Sequence, residues 1–174
     1  MTGRATPVGP LAVTLLAPLM LAACSGPGAS ALDEGMLARQ VTTAQGPLKI
    51  TRQPGPDGGK IFQITLGSKV IAEEREFSSV YIEAVHPRDK EPALVLLGLG
   101  TGGSGCPGYF KIVELTAASG PRITDKFGNC SDVFSTSWEN GGWRVDIPKI
   151  GGAEAQSWLY RDGTLTRLET PSGP

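Results

Sequence analysis

The sequence predicts an all-β fold, an antiparallel meander of hairpins that carries one disulfide. Three observations predict it: two-residue turns of the kinds that join hairpin strands, apolar segments of strand length bounded by Gly or Pro, and a pair of cysteines after residue 47. The turns are Gly67-Ser68, Asn140-Gly141 and Asp162-Gly163. The spacing indicates eight or nine strands. It leaves open whether they form a sandwich, a barrel or blade-like sheets.

Each turn is flanked by segments typical of strands. Gly67-Ser68 suits a type II′ turn, and the two later pairs suit type I′ turns, because both central positions there require positive φ. The hairpin strands are residues 61–66 and 69–73, 137–139 and 142–147, and 158–161 and 164–168. Further strands are predicted at residues 80–85, 93–97 and 109–115. Residues 32–44 carry a thin apolar stripe, which predicts a short helix or a loop.

Residues 86–96 resemble the integrin-type propeller repeat, in which an Asp-rich calcium loop leads into an apolar strand. Only Asp89 and Glu91 remain of the acids that alternate in that repeat. We therefore expect no calcium here, and the resemblance supports only the blade-like alternative.

Composition narrows the function classes. The 174 residues include 16 basic and 17 acidic side chains, a formal net charge of −1, which argues against a nucleic-acid partner. With 40% apolar and 19% charged residues, a single folded domain is expected. One His and three Cys cannot build the usual zinc sites, so we expect no metal and no cofactor.

The first 24 residues predict export. Arg4 is the only charge before Asp33, and the apolar residues 11–20 are too few to span a bilayer as a helix. The segment ends in Leu21-Ala22-Ala23-Cys24, which matches the lipobox at all four positions, and the sequence here resembles the bacterial lipoprotein family. The alternative is an ordinary secretory signal with Cys24 as an incidental thiol.

The lipoprotein resemblance implies a membrane anchor. It implies diacylglycerol on the Cys24 thiol, cleavage before Cys24, and acylation of the new amino terminus, with palmitate as the expected chain. Ser25, where Asp would favour inner-membrane retention, favours the outer membrane facing the periplasm if the source is Gram-negative. The expected organisation is a signal peptide at residues 1–23, a lipidated N-terminus and flexible tether at 24–46, and one all-β domain at 47–174.

Cys106 and Cys130 are predicted to form a disulfide. Export places them in an oxidising compartment, and lipidation of Cys24 leaves only this pairing. Closing a loop of about 25 residues would stabilise the fold by roughly 3.5 kcal/mol. The sequence has no Cys-x-x-Cys motif, so a structural role is favoured over a redox role.

The glycine-rich residues 98–105 could indicate nucleotide binding or a serine hydrolase, but the neighbouring residues support neither function. Gly98, Gly100 and Gly103 fit the spacing G-x-G-x-x-G, but a strand follows instead of the helix that nucleotide binding requires. We expect a mobile or tightly turned loop tied to the fold by Cys106. A serine hydrolase would need His86 as its base, and nothing around His86 indicates that role.

Trp138 and Trp143 are expected to lie nearly opposite each other across the Asn140-Gly141 turn. Together with Gly100 and Gly103, they are the best candidates for a binding surface, because an exposed aromatic pair can stack on sugar rings or anchor a protein.

The predicted function is a non-catalytic binding or accessory module of the cell envelope, with an envelope protein or glycan as partner. One alternative is a glycan hydrolase that uses two carboxylates. Its candidate acids are Glu73, Glu74, Glu76, Asp125, Asp132, Glu139 and Asp146. A second alternative is an inhibitor of an envelope-degrading enzyme.

Overall fold

A computed structural model describes residues 39–169. The predicted signal peptide, the Cys24 lipidation site and the tether as far as residue 38 lie outside the described residues. Thirteen strands occur in the described part: β1 (Gln40–Val41), β2 (Leu48–Pro54), β3 (Lys60–Leu66), β4 (Lys69–Glu74), β5 (Ser79–Arg88), β6 (Glu91–Gly103), β7 (Cys106–Glu114), β8 (Arg122–Ile123), β9 (Phe127–Cys130), β10 (Ser135–Glu139), β11 (Gly142–Ile147), β12 (Gln156–Arg161) and β13 (Thr164–Leu168).

The strands form three antiparallel sheets, which confirms the all-β prediction. The first sheet has the order β1-β2-β3-β4, and the third has the order β10-β11-β12-β13. The central sheet has the order β5-β6-β7-β8, and β9 also pairs with β7. The first and third sheets are meanders of consecutive strands, as the blade-like alternative expects, whereas in the central sheet β9 pairs with β7 and not with β8. No helix that could cross a membrane is found in residues 39–169.

The central sheet is covered on both faces by the other two. Along β6, Val95, Leu97 and Leu99 pack into a core shared with the first sheet. The alternate residues Leu94 and Leu96 pack into a second core shared with the third sheet. A strand that is buried on both faces needs apolar residues at every position, which explains the continuous apolar run that begins at Ala93.

The predicted turns have the expected backbone geometry. Asn140 and Gly141 both have positive φ, at 50° and 73°, as do Asp162 and Gly163, at 51° and 80°. Gly67 has φ of 59° at the first turn position. The turn chemistry therefore predicts all three hairpins correctly, and it also sets the direct pairing of Trp138 with Trp143.

Two segments differ from the prediction. Pro87 and Pro92 were expected to bound strands, but they pair with each other at the end of the β5–β6 hairpin, around an Asp89-Lys90 turn. Pro87 lies on an edge strand, and Pro92 precedes the part of β6 that pairs with β7, so no sheet hydrogen bond is lost. Within residues 32–44, Gln40 and Val41 form β1 beside β2.

The glycine-rich segment is not a loop. Residues 98–103 continue β6, and only Ser104 and Gly105 form the turn into β7. β5 pairs with this part of β6 as far as Gly100, and β7 pairs with it as far as Gly103. These strand pairings keep the glycine-rich segment in the sheet.

Polar side chains cover the outer faces of the stack. On the first sheet, Gln53 donates a hydrogen bond to Gln63, which donates one to Glu73. On the third sheet, Arg144 donates to Glu139 and Asp146. Polar faces of this kind can contact water. The first and third sheets therefore form the two ends of the stack, as the polar outer faces of terminal repeats do in repeat proteins.

Candidate binding surfaces

An aromatic platform, defined here as His86 and Trp138, lies where the central sheet meets the third sheet. The His86 ring of β5 stacks on the Trp138 indole of β10, with centroids 4.4 Å apart and planes 2° apart. His86 also lies 5.9 Å from the Trp143 ring, tilted by 33°. Trp138 is 45% exposed, whereas Trp143 is 2% exposed. The accessible part of this cluster is therefore the Trp138 indole.

The surroundings of His86 favour its neutral form. Burial lowers the pKa of the imidazole, and the positive charge of Arg88 lowers the pKa further. His86 is therefore uncharged at neutral pH, so the ring that supports the Trp138 indole carries no charge.

Two of the four predicted surface residues prove to be buried. Trp143 packs with Val145 in the core between the central and third sheets. Gly100 is buried within β6, between β5 and β7. Of the four residues, Trp138 and Gly103 are exposed and so accessible to a partner. Trp143 is buried because it lies on the inward face of β11, and Gly100 is buried because β6 is paired on both sides there.

A carboxylate that the sequence analysis did not single out lies at a β-bulge. The register of β5 against β6 shifts between Ile82 and Ala84, which leaves Glu83 as the extra residue. Its side chain and that of Tyr81 lie over Gly98, where a Cβ would be 2.6 Å from the Tyr81 ring and 2.8 Å from a Glu83 carboxylate oxygen. The absence of a side chain at Gly98 makes room for both residues. Packing therefore requires this glycine, independently of any nucleotide.

The Glu83 cluster is defined as Tyr81, Glu83 and Asp132, and this environment raises the pKa of Tyr81 and the pKa of Glu83. Burial raises the pKa of Glu83, and the negative charge of Asp132 raises the pKa further, against a smaller opposing effect of a hydrogen bond with Tyr81. Burial and the same two carboxylates raise the pKa of Tyr81. No sequence signal reveals this cluster, because bulge position and the approach of Asp132 both depend on the tertiary fold.

A charged groove of about 550 Å³ lies between the end of β4 and the segment that precedes β9. Four acidic side chains, three basic ones and one aromatic ring line this groove: Glu73, Glu74, Arg75, Glu76, Phe77, Lys111, Asp125 and Lys126. The structure thus brings the predicted Glu73, Glu74 and Glu76 together with Asp125. The other predicted acids lie elsewhere: Asp132 near Glu83, and Glu139 and Asp146 on Arg144.

The glutamates of the groove are ion-paired. Glu74 pairs with Lys111, Glu73 with Arg75 at 2.7 Å, and Glu76 with Lys126 at 3.1 Å. Hydrogen bonds from Gln63 and then Arg75 lower the pKa of Glu73. These hydrogen bonds favour the ionised form of Glu73. A general acid that works near neutral pH needs the opposite shift in its pKa.

The predicted disulfide between Cys106 and Cys130 is present. It joins the first residue of β7 to the last residue of β9. The disulfide therefore connects the end of β9 to the start of β7, next to the β6–β7 turn.

No family model, curated protein or solved structure matches this chain. Across residues 39–169, His, Cys, Asp and Glu side chains do not come together in any group of three that could hold a metal ion.

Proposed function

We propose that the protein is a lipid-anchored, non-catalytic binding module of the cell envelope, and that its partner is a glycan which contacts Trp138. The single observation that supports a glycan partner best is the aromatic platform, in which His86 supports an indole that is nearly half exposed. The anchor rests on the resemblance of Leu21-Ala22-Ala23-Cys24 to the lipobox.

The distribution of apolar surface favours a glycan over a protein. A stable protein interface requires a contiguous, well-packed centre with several anchor residues. The exposed large apolar residues in the described part of the chain are instead spread over three sheets and a connecting segment: Val70, Val85, Val133 and Trp138. A sugar ring needs only one flat, rigid aromatic face, and Trp138 offers one.

A second candidate function is glycan hydrolysis, and the Glu83 cluster is the observation that favours it. A half-buried carboxyl with a raised pKa next to a second carboxylate is the combination that glycosidases use for acid catalysis. Glu83 does not line the charged groove, however. We therefore rank hydrolysis below binding.

Cosedimentation with insoluble glycan from the cell envelope tests the proposal. Wild-type protein is expected to sediment with the glycan, and Trp138→Ala and Trp138→Leu are expected to stay in solution, because neither replacement has a flat aromatic face. Val70→Ala is the matched control, since Val70 has a similar exposure of 46% but lies on the first sheet. This variant should sediment like wild type.

Other outcomes overturn specific parts of the proposal. Equal sedimentation of wild type and both Trp138 variants would remove the platform as the binding site. Capture of a protein by crosslinking in cells, dependent on Trp138 and without glycan, would replace the glycan partner. Release of soluble fragments that stops in Glu83→Gln would establish the hydrolase instead.

A further inference from the structure

The charged groove is a separate site from the aromatic platform. It is formed by the end of β4, the link from β4 to β5, β7 and the segment before β9, whereas the platform belongs to β5 and β10. The two sites share no residue. Ligand binding at the groove can therefore be tested independently of glycan binding at the platform.

The interior of the groove is a fixed structure. Glu74 is only 7% exposed and pairs with Lys111 of the neighbouring sheet. Breaking a buried ion pair leaves an uncompensated charge and is costly. Phe77 is also buried. Glu74, Lys111 and Phe77 therefore form the least exposed part of the groove.

The charges at the rim are accessible and weakly held. The Arg75–Glu73 and Lys126–Glu76 pairs involve side chains that are 34% to 73% exposed. Exposed pairs of this kind contribute little to stability, so a ligand can replace one partner at little cost. Within residues 39–169, Asp125 has no ion-pair partner.

Lys126 occupies a defined position at this rim. Its Nζ lies 5.6 Å from the centre of the Phe77 ring and 5.7 Å from that of the Tyr109 ring. Cation–π attraction to both rings restrains the ammonium near the groove. Lys126 and Arg75 therefore place two cations beside the carboxylates of the rim.

We infer that the charged groove binds a small zwitterion, specifically a short peptide with a free amino terminus and a free carboxyl terminus. The peptide ammonium contacts Asp125 and Glu76, and the peptide carboxylate contacts Arg75 and Lys126. The Arg75 guanidinium can hold a carboxylate through two parallel hydrogen bonds. The volume of about 550 Å³ lies in the range of small-molecule sites.

The mixture of charges selects for this ligand class. With four carboxylates and three cations, the groove offers neither a polyanion nor a polycation a surface of uniformly opposite charge. A ligand with one charge of each sign can satisfy Asp125 and still replace a rim carboxylate on Arg75 or Lys126. Charge complementarity therefore favours a zwitterion over an ion of a single sign.

Calorimetric titration of the full chain with trialanine tests the inference. Trialanine with both termini free is expected to bind saturably. Its N-acetylated and C-amidated forms are each expected to bind about tenfold or more weakly, because each lacks one charged hydrogen-bonding group.

Two variants connect each peptide end to its residue. Asp125→Asn should weaken binding of free trialanine but leave binding of the N-acetylated form unchanged. Arg75→Gln should weaken binding of free trialanine but leave binding of the C-amidated form unchanged. Lys149→Gln is the control, since Lys149 forms a similarly exposed pair with Glu154 outside the groove. The Lys149 variant should bind like wild type.

The inference fails if trialanine gives no saturable binding, if the three peptides bind equally, or if both groove variants bind like wild type. Trp138→Ala should bind trialanine normally. That result separates this inference from the glycan proposal, because each can fail while the other holds.

Discussion

The His86 ring lies parallel to the Trp138 indole at 4.4 Å and joins edge strand β5 of the central sheet to edge strand β10 of the third sheet. This contact buries part of the imidazole and accounts for the lowered pKa of His86, to which the positive charge of Arg88 also contributes. His86 is the only histidine in the chain, so its titration can be observed without interference.

We predict that the imidazole resonances of His86 titrate in NMR spectra with a midpoint below the ordinary value of 6.5. Because protonation opposes the buried state, His86 contributes stability that is present above pH 6.5 and is lost as the pH falls below that value. Trp138→Ala and Arg88→Ala should each raise the pKa toward 6.5. Arg167→Ala, a change to an exposed arginine on β13, should leave it unchanged. A wild-type midpoint at or above 6.5 would contradict the burial of this ring.

Glu83→Gln should stabilise the protein at neutral pH. The pKa of Glu83 in the folded state is raised above 4.5, so its stabilising contribution is complete below pH 4.5 and is lost as the pH rises through the folded-state pKa. Glutamine cannot ionise, so the variant does not lose this stability as the pH rises. Thermal melting should therefore show a higher midpoint for the variant at pH 7 and almost no difference at pH 4. Glu91→Gln, on an exposed glutamate of β6, is the control and should show no such contrast.

Gly98→Ala should lower the free energy of unfolding by about 1–3 kcal/mol, the usual cost of overpacking. The new Cβ would lie within 2.9 Å of Tyr81 and Glu83, and both residues would have to move. Urea unfolding measures the loss. Gly103→Ala is the matched control in the same strand, since its Cβ would meet only Thr101 at 3.8 Å. Similar costs at the two positions would show that Gly98 is not needed for packing.

Replacing both Cys106 and Cys130 with Ala should destabilise the fold by about 3–4 kcal/mol in urea unfolding, because the unfolded chain regains the freedom of a long loop. Reduction of wild-type protein should produce a similar loss. Cys24→Ala serves as the control for thiol chemistry and should retain the disulfide. Alkylation of Cys106 or Cys130 in unreduced exported protein would show that the bond does not form in cells.

Local turn chemistry made the hairpins predictable. Asn140-Gly141 and Asp162-Gly163 favour positive φ within two residues, so their strands and the Trp138–Trp143 pairing follow from neighbouring residues alone. The β5–β6 hairpin is not predicted because its turn, Asp89-Lys90, has Lys90 at positive φ, where the usual hairpin turns have glycine. Prolines on either side also resemble strand boundaries.

The candidate sites were only partly predictable. The residues that the sequence singled out include Trp138 and the four acids of the charged groove, Glu73, Glu74, Glu76 and Asp125. The sequence did not distinguish exposed Trp138 from buried Trp143, because their exposure depends on which face of the hairpin the central sheet covers. It did not reveal the charged groove, because Lys111 and Asp125 are distant in the chain from the glutamates that they face.

By itself, the sequence determined the fold class, the three predicted hairpins and the candidate disulfide, since these depend on periodicity, turn residues and cysteine count. Only the tertiary structure decided the stacking of three sheets, the bulge that directs Glu83 over Gly98 and the platform formed by His86 and Trp138. The physical reason is that these features arise from packing between segments far apart in the chain, for which no local pattern of residues carries the information.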